Sequence, residues 1–464
     1  MRSRSVAPDA VAAPCRARTR APVGVGRRGL LLLAAGLLWV IPAWFQPAML
    51  LLPFVWNAVL LAAWIWDLRR LPPPDALAAR RTWSGALGLG DRATVTLQLR
   101  NRGRVPIRAR LFDTPPDALG PDREDTGAWI ARDIDVAPGR VGSTSYTVVP
   151  TRRGDHEIGE LIVRYESDAG IALRWVAAPL TQRVRVYPSF AAARRHAMAL
   201  VRSRQLDAEL RRARMRGRGR ELHHLREFQE GDELRDVAWR ATARRGRLIT
   251  RVYQPERSQP IWIVLDAGRL LRARTGTRLT LDHTAGAALS LAHAAMLAGD
   301  RVGLLAYGRR VQSRLAPARG SAQLRQLADA LATVKPEPVE GDHLGAASTL
   351  LSLQPRRALV LWLTEIAETA GVPDVVLGAW HLAARHLVLV AVPEPADIAA
   401  VAASRPGSDE ELYLVMAAQE ATERRAALLR SLRDKGVLAL EWPAGHLGPL
   451  LINRYVEIKE RNLL

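Results

Sequence analysis

The chain has 464 residues, 48% of them hydrophobic, and a formal net charge of +21 from 67 basic and 46 acidic residues. That length suits two or three domains, and that apolar fraction excludes a wholly disordered chain. The single cysteine, Cys15, excludes an intramolecular disulfide and any cysteine-based zinc site.

Residues 1–28 hold seven arginines against Asp9, and residues 191–260 hold eighteen arginines against nine acids. Base concentrated in this way suits an anionic surface, either lipid headgroups or nucleic acid. The first stretch reads as a basic tail, with Cys15 an incidental residue in it.

No residue from Gly29 to Trp66 carries a charge. One helix of that length would run about 57 Å, well beyond a hydrocarbon core of about 30 Å. Pro42 and Pro47 in "IPAWFQPA" break it, so a two-helix transmembrane hairpin is predicted over residues 29–67. Trp39, Trp44, Trp64 and Trp66 fall near the span ends, where indole favours the interface. Arg27 and Arg28 precede the apolar stretch and Arg69 and Arg70 follow it. The positive-inside rule then puts both ends, and everything after them, in the cytoplasm of a bacterial inner membrane. The stretch is too long for a signal-peptide core and lacks a small-residue cleavage site.

After "LPPPD", short alternating segments such as "ATVTLQLRN", "RVPIRARLFD" and "HEIGELIVRYES" predict a small antiparallel β-sandwich over residues 75–188. Nothing in it has catalytic spacing. "RRARMRGRGR" (211–220) reads as an arginine-rich loop suited to anionic lipid. It lacks the interleaved aromatics of a nucleic-acid site, and His223 and His224, being adjacent, point to opposite sides of most elements.

Residues 215–258 contain "LREFQEGDELRDVAWRATARRGRLITR", with seven arginines and five acids around Phe228, Trp239, Leu248 and Ile249. "EGD" and "ELRDVAW" suggest a turn capped by Asp232, Trp239 anchoring the element on the apolar body, and a second turn at Gly246 leading into an edge strand. Two readings follow: a charged brace between domains held by bidentate Arg–carboxylate pairs, or a docking surface. As a docking surface, Arg226, Glu227, Asp232, Arg235, Arg240 and Arg244 would meet the partner, with Trp239 as the anchor.

From residue 259 to 464 apolar runs alternate with helical patterns. "PIWIVLD", "RVGLLAYG", "RALVLWLTE", "HLVLVAVPE" and "GVLALEW" look like strands buried on both faces, predicting a doubly wound parallel α/β domain. Ligands of such sheets bind beyond the carboxyl ends of the strands, where Asp266 and Glu365 fall.

With those segments in that order, the chain resembles the bacterial "domain of unknown function 58" family from residue 29 to 464. The resemblance rests on Arg226, Glu227, Gly231, Asp232, Arg235, Trp239, Ala243 and Arg244 of "REFQEGDELRDVAWRATARRG". It implies a C-terminal von Willebrand factor type A-like domain and a membrane-tethered binding protein working beside a MoxR-type AAA+ ATPase as adaptor or substrate receptor. It also implies a divalent-cation site, magnesium or another, built from an Asp-x-Ser-x-Ser loop, a Thr and an Asp. Here those loops read "DAGRL", "GDHLGAAS" and "LTEI", leaving Asp266, Asp342 and Glu365 as three carboxylates without the accompanying hydroxyls. No G-x-S-x-G elbow, phosphate loop or H-E-x-x-H motif is present, so an enzyme is not expected. The alternatives are a basic membrane-surface or nucleic-acid-binding protein and, further off, metal-assisted hydrolysis through those three carboxylates.

Overall fold

The structure, a computed structural model, describes residues 11–17, 22–39, 41, 46, 51–120, 129–196, 198, 221–229, 237–254, 258–275, 278–366, 372–443, 446–461 and 463. It is mixed α/β and divides into two compact units, Met1–Ser189 and Phe190–Leu464.

In the first unit, helix α1 (Arg27–Gly36) runs into a 3-10 turn at Leu37–Trp39 and lies against helix α2 (Leu51–Arg70). The contact is close because Gly36 has no side chain: a Cβ there would fall 2.6 Å from Cδ1 of Trp56. The Trp56 indole donates to the Leu32 carbonyl at 3.1 Å. Among the described residues, α2 alone is long and apolar enough to cross a membrane, with mean hydropathy 1.6 and 6% of its apolar window buried. Most of the expected turn "IPAWFQPA" lies outside the described residues.

The helices are followed by a strand-rich body, as its alternating sequence predicts. Its strands include β4 (Leu77–Trp83), β5 (Leu87–Gly88), β6 (Ala93–Asn101), β7 (Ile107–Asp113), β8 (Ile130–Val136) and β9 (Val141–Val148). They continue through β10 (Gly154–Ile158), β11 (Leu161–Ser167), β12 (Ala172–Ala178) and β13 (Gln182–Tyr187). Alternate residues of β6 and β7 point inward, so Val95, Leu97, Leu99, Ile107 and Leu111 build the core. The core also holds an ion pair: Arg81 binds both carboxylate oxygens of Asp113 at 3.1 and 2.5 Å, and Tyr146 donates to Asp113 at 2.7 Å. Burial, then the Asp113 charge, pushes the Tyr146 phenol well above its ordinary range.

The basic tail expected over residues 1–28 is in part a structural element. Strand β1 (Val11–Pro14) pairs antiparallel with β4, while β2 (Arg16–Ala17) and β3 (Val23–Val25) pair with β12. Cys15 between them is 2% exposed, and burial pushes its thiol up to about 12, so it is a core residue rather than an incidental one. The far end of the apolar segment is fixed to the same body. Asp67, buried in the last turn of α2, accepts from Ser167 Oγ at 2.5 Å and from the Ile171 and Ala172 amides at 3.1 and 2.8 Å. Trp64 donates to the Gly24 carbonyl at 3.1 Å and Arg174 to the Leu68 carbonyl at 3.1 Å.

The second unit opens with β14 (Glu221–Glu227), paired antiparallel with β15 (Ile249–Gln254), and helix α3 (Trp239–Arg245) between them. Gly246, at φ 66°, ends α3 in the left-handed region, the turn its sequence predicts. The edge strand expected after that turn is β15, whose ladder partner is β14.

That sheet uses β16 (Pro260–Asp266), β19 (Arg301–Tyr307), β20 (Val311–Ala318), β21 (Leu359–Leu363), β22 (Leu387–Pro393) and β23 (Leu438–Trp442). A small ladder of β17 (Arg274–Thr275) and β18 (Arg278–Leu279) lies apart from it. The strand order is β20-β19-β16-β21-β22-β23, parallel except for β20 at one edge. Helices α4 (Thr280–Leu297), α5 (Ser321–Thr333), α6 (His343–Leu353), α7 (Asp374–Ala383), α8 (Ala396–Ala402) and α9 (Asp409–Asp434) lie in the connections, and α10 (Leu447–Glu460) follows the last strand. Trp262, Val264, Val360 and Trp362 pack with Ala347, Leu350, Val376 and Leu432 of the helices, and the intervening Ile261, Ile263 and Leu265 are equally buried. Burial on both faces is why these strands read as unbroken apolar runs.

Candidate functional site

The sheet brings β16, β19 and β21 side by side in parallel, so their carboxyl ends gather Asp266, Tyr307 and the Thr364–Glu365 pair at one edge of the second unit. Asp266 is 2% exposed. Its Oδ1 accepts from the Gly268 amide at 2.7 Å and its Oδ2 from Thr364 Oγ1 at 2.8 Å. Glycine backbone closes over it, since a Cβ on Gly341 would stand 2.8 Å from Asp266 Oδ1. Burial raises the pKa of this carboxyl, opposed by the nearby His343 and by the two hydrogen bonds.

Beside it runs a buried chain of rings. Trp362 Nε1 donates to the Tyr307 hydroxyl at 2.8 Å, and that hydroxyl lies 2.8 Å from His343 Nδ1. An indole can only donate, so the Tyr307 oxygen accepts there and its proton is free for His343 Nδ1 when that nitrogen carries none. Tyr307 is pushed well above the phenol range by burial and then by the Asp266 charge, which keeps it neutral. The arrangement is a satisfied polar plug that fixes the strand ends.

The three carboxylates expected to share a cation are separately engaged. Asp342 caps α6, its Oδ1 accepting from the Gly345 amide at 2.8 Å. Glu365 Oε1 accepts from Arg425 Nη1 of α9 at 2.8 Å and from the Ile366 amide at 2.9 Å. Arg425 is itself buried, reaches Glu441 at 3.0 Å and donates to the Pro393 carbonyl. Burial pulls its pKa down, but Glu365 and Glu441 outweigh that and the net shift is upward. Among the described residues no three His, Cys, Asp or Glu side chains are placed to hold a metal ion. Of the expected Asp266–Asp342–Glu365 trio, then, Asp266 is hydrogen-bonded to Gly268 and Thr364, Asp342 caps a helix and Glu365 faces a fixed guanidinium.

At the charged segment the expectation also changes. Trp239 is 61% exposed, so it does not anchor α3; Val237, Ala238 and Ile249 are the buried residues there. Arg240 and Arg244 are exposed beside it, and among the described residues neither has an ion-pair partner. Glu227 pairs with Arg247 at 2.9 Å across an exposed surface, and half-buried Arg226 donates to the Glu227 carbonyl at 2.9 Å. An exposed pair of this kind contributes about 0–1 kcal/mol. Asp232, expected as the cap, lies with Gly231 and Arg235 outside the described residues, and the N-cap of α3 is Ala238.

Residues 224–428 match the family described as "Protein of unknown function DUF58". The likeness to that family covers those residues, less than half of the chain. The match is narrower than the 29–464 expected, and takes in α3, the strand-end cluster and most of α9. Within the DUF58 segment lie every expected docking residue and all three carboxylates. The chain is 25% identical over 229 residues to "Uncharacterized protein YeaD" of Bacillus subtilis (strain 168), a match covering 46% of this chain and 52% of that one. It thus spans about half the length of that relative. The conserved hypothetical protein BatB from Bacteroides thetaiotaomicron aligns at 14% identity over 44% of this chain and 99% of its own, with a TM-score of 0.31. That score is too low to argue from.

Proposed function

We propose that the protein is a membrane-anchored, cytoplasm-facing docking module of the bacterial inner membrane, whose DUF58 segment receives a protein partner. The observation that carries the docking part is Trp239, 61% exposed on a short helix with Arg240, Arg244 and Arg245. Tryptophan and arginine are the residue types that dominate interface energies, and an indole left in water is otherwise unfavourable.

Anchoring rests on topology. Strands on both sides of the apolar segment lie in shared sheets: β1 pairs β4, and β2 and β3 pair β12. Both ends of residues 27–70 therefore stay on one side of a bilayer, which allows an even number of crossings. With α1 lying along α2, we read the segment as a transmembrane hairpin. We read the second unit as a doubly wound, von Willebrand factor type A-like domain on its strand order. Its docking then proceeds without a bridging cation, Arg425 supplying the fixed positive charge at Glu365.

The family resemblance makes a MoxR-type AAA+ ATPase the partner to test, with the protein as its adaptor or substrate receptor in complex assembly. The full chain in nanodiscs is mixed with such an ATPase under nucleotide-trapping conditions. Retention by the native chain and loss with Trp239→Glu supports the reading; no retention in any nucleotide state defeats it.

A further inference from the structure

We infer that α8 and the first half of α9 form a self-association arm, whose occupant is the Trp239 face of a second copy of this chain. The inference rests on the docking reading of that face and names a second copy, in place of the ATPase, as the partner that meets it. The two helices are inserted between β22 and β23 and pack on each other, and Val415 and Ala418 of α9 are buried. Their outer surface leaves Ile398, Val401, Leu412, Tyr413, Leu414 and Met416 exposed, Tyr413 at 74%. Single exposed apolar residues need no explanation, but six on one helical pair, with Leu412, Tyr413 and Met416 on neighbouring faces of α9, concentrate apolar surface of the kind that marks an interface.

Charge selects the occupant. Residues 394–416 hold five acids, Glu394, Asp397, Asp409, Glu410 and Glu411, against Arg405 alone, in a chain of net charge +21, and Glu420 beyond them pairs with Arg424. An acidic apolar arm is repelled by anionic lipid and by nucleic acid, and fits a basic apolar surface. Residues 239–248 supply one: Arg240, Arg244 and Arg245 beside Arg247, which already pairs with Glu227, no acid, and exposed Trp239 and Leu248. Both surfaces belong to the same compact unit and both are exposed within it, so they are not satisfied by each other in one chain. The complementary pair is therefore met between copies, as a heterologous contact that repeats along a row or closes into a ring.

Cysteine cross-linking tests this directly, because the one native cysteine is buried. Full chains in nanodiscs carry Ala243→Cys, one turn along from Trp239, or Ala417→Cys, one turn along from Tyr413, leaving both aromatic residues in place. A short bis-maleimide is expected to join 243 to 417 when the two preparations are mixed, and not within either alone. Tyr413→Glu and raised salt are each expected to lower the product roughly tenfold, the scale of losing an aromatic anchor or screening an exposed charge contact. No product, a 417–417 product of equal yield, or a product indifferent to Tyr413→Glu overturns the inference. ATPase retention is measured on the same samples. Retention without cross-linking defeats self-association and leaves the docking reading intact; cross-linking without retention supports self-association and defeats the choice of ATPase.

Discussion

Replacing Arg425 by methionine keeps most of the side-chain volume and removes the charge that holds α9 to the strand ends. At an effective dielectric of about 20, each contact at 2.8–3.0 Å carries an attraction of about 6 kcal/mol, largely offset by the desolvation of a buried guanidinium. The two carboxylates respond differently once it is gone. Glu365, 19% exposed, loses its guanidinium counter-ion, whereas Glu441, 39% exposed, turns to water. Most of the cost thus falls on Glu365 and lies in the range of about 3–4 kcal/mol for a largely buried ion pair that loses one member. For a unit of this size that lowers the melting transition by roughly 10 °C. Glu365→Gln alone should cost less, because Arg425 keeps Glu441, and the double variant should recover a large part of the loss. Differential scanning calorimetry on the full chain in nanodiscs, for the four members of the cycle, measures this. A loss below about 1 kcal/mol for Arg425→Met, or strictly additive single losses, would refute the assignment of Arg425 as the internal counter-ion of Glu365.

Further outcomes follow from the same structure. Calorimetric titration of the full chain with magnesium or manganese should show no heat above dilution, since Asp342 caps a helix and Glu365 is paired; micromolar binding abolished by Asp266→Ala would overturn this. The raised pKa of Asp266 means the folded state holds its proton to higher pH than the unfolded state does, so stability falls as pH rises from the ordinary carboxyl pKa through the raised one. Asp266→Asn should flatten that slope in melting curves, and a parallel slope counts against it. Cys15, with its thiol at about 12, should react with a maleimide at pH 8 only after denaturation. Asp67→Ala should strip partners from the Ile171 and Ala172 amides at about 1–2 kcal/mol each, speeding their hydrogen exchange roughly a hundredfold.

The strands of the second unit are legible in sequence because burial on both faces leaves a long apolar run, and those of the first because one buried face leaves an alternation. Strands β1–β3 carry neither signal. "VAAP", "RA" and "VGV" are too short to alternate, and their ladder bonds come from β4 and β12 far along the chain. Asp266 and Glu365 were findable as acids ending apolar runs. Tyr307, Trp362 and Thr364 lie inside or beside such runs and announce themselves only as core. Arg425 gives no sign at all, being one of two adjacent arginines on a charged helix, and its partners lie 60 and 16 residues away. Trp239 misled because a tryptophan among charges reads as an anchor, whereas Val237 and Ile249 perform that task.

The pairing of the extreme amino-terminal strands with β12 also sets an order of events during synthesis. Ala17 meets Val176, 159 positions later. At about 5–20 residues per second, β2 waits roughly 8–30 s for its neighbour to leave the ribosome. Within that interval the apolar residues 29–66 leave the ribosome. If they form the proposed hairpin, insertion precedes completion of the strand-rich body, and β2 and β3 reach β12 only when both ends of the hairpin lie on one side of the bilayer.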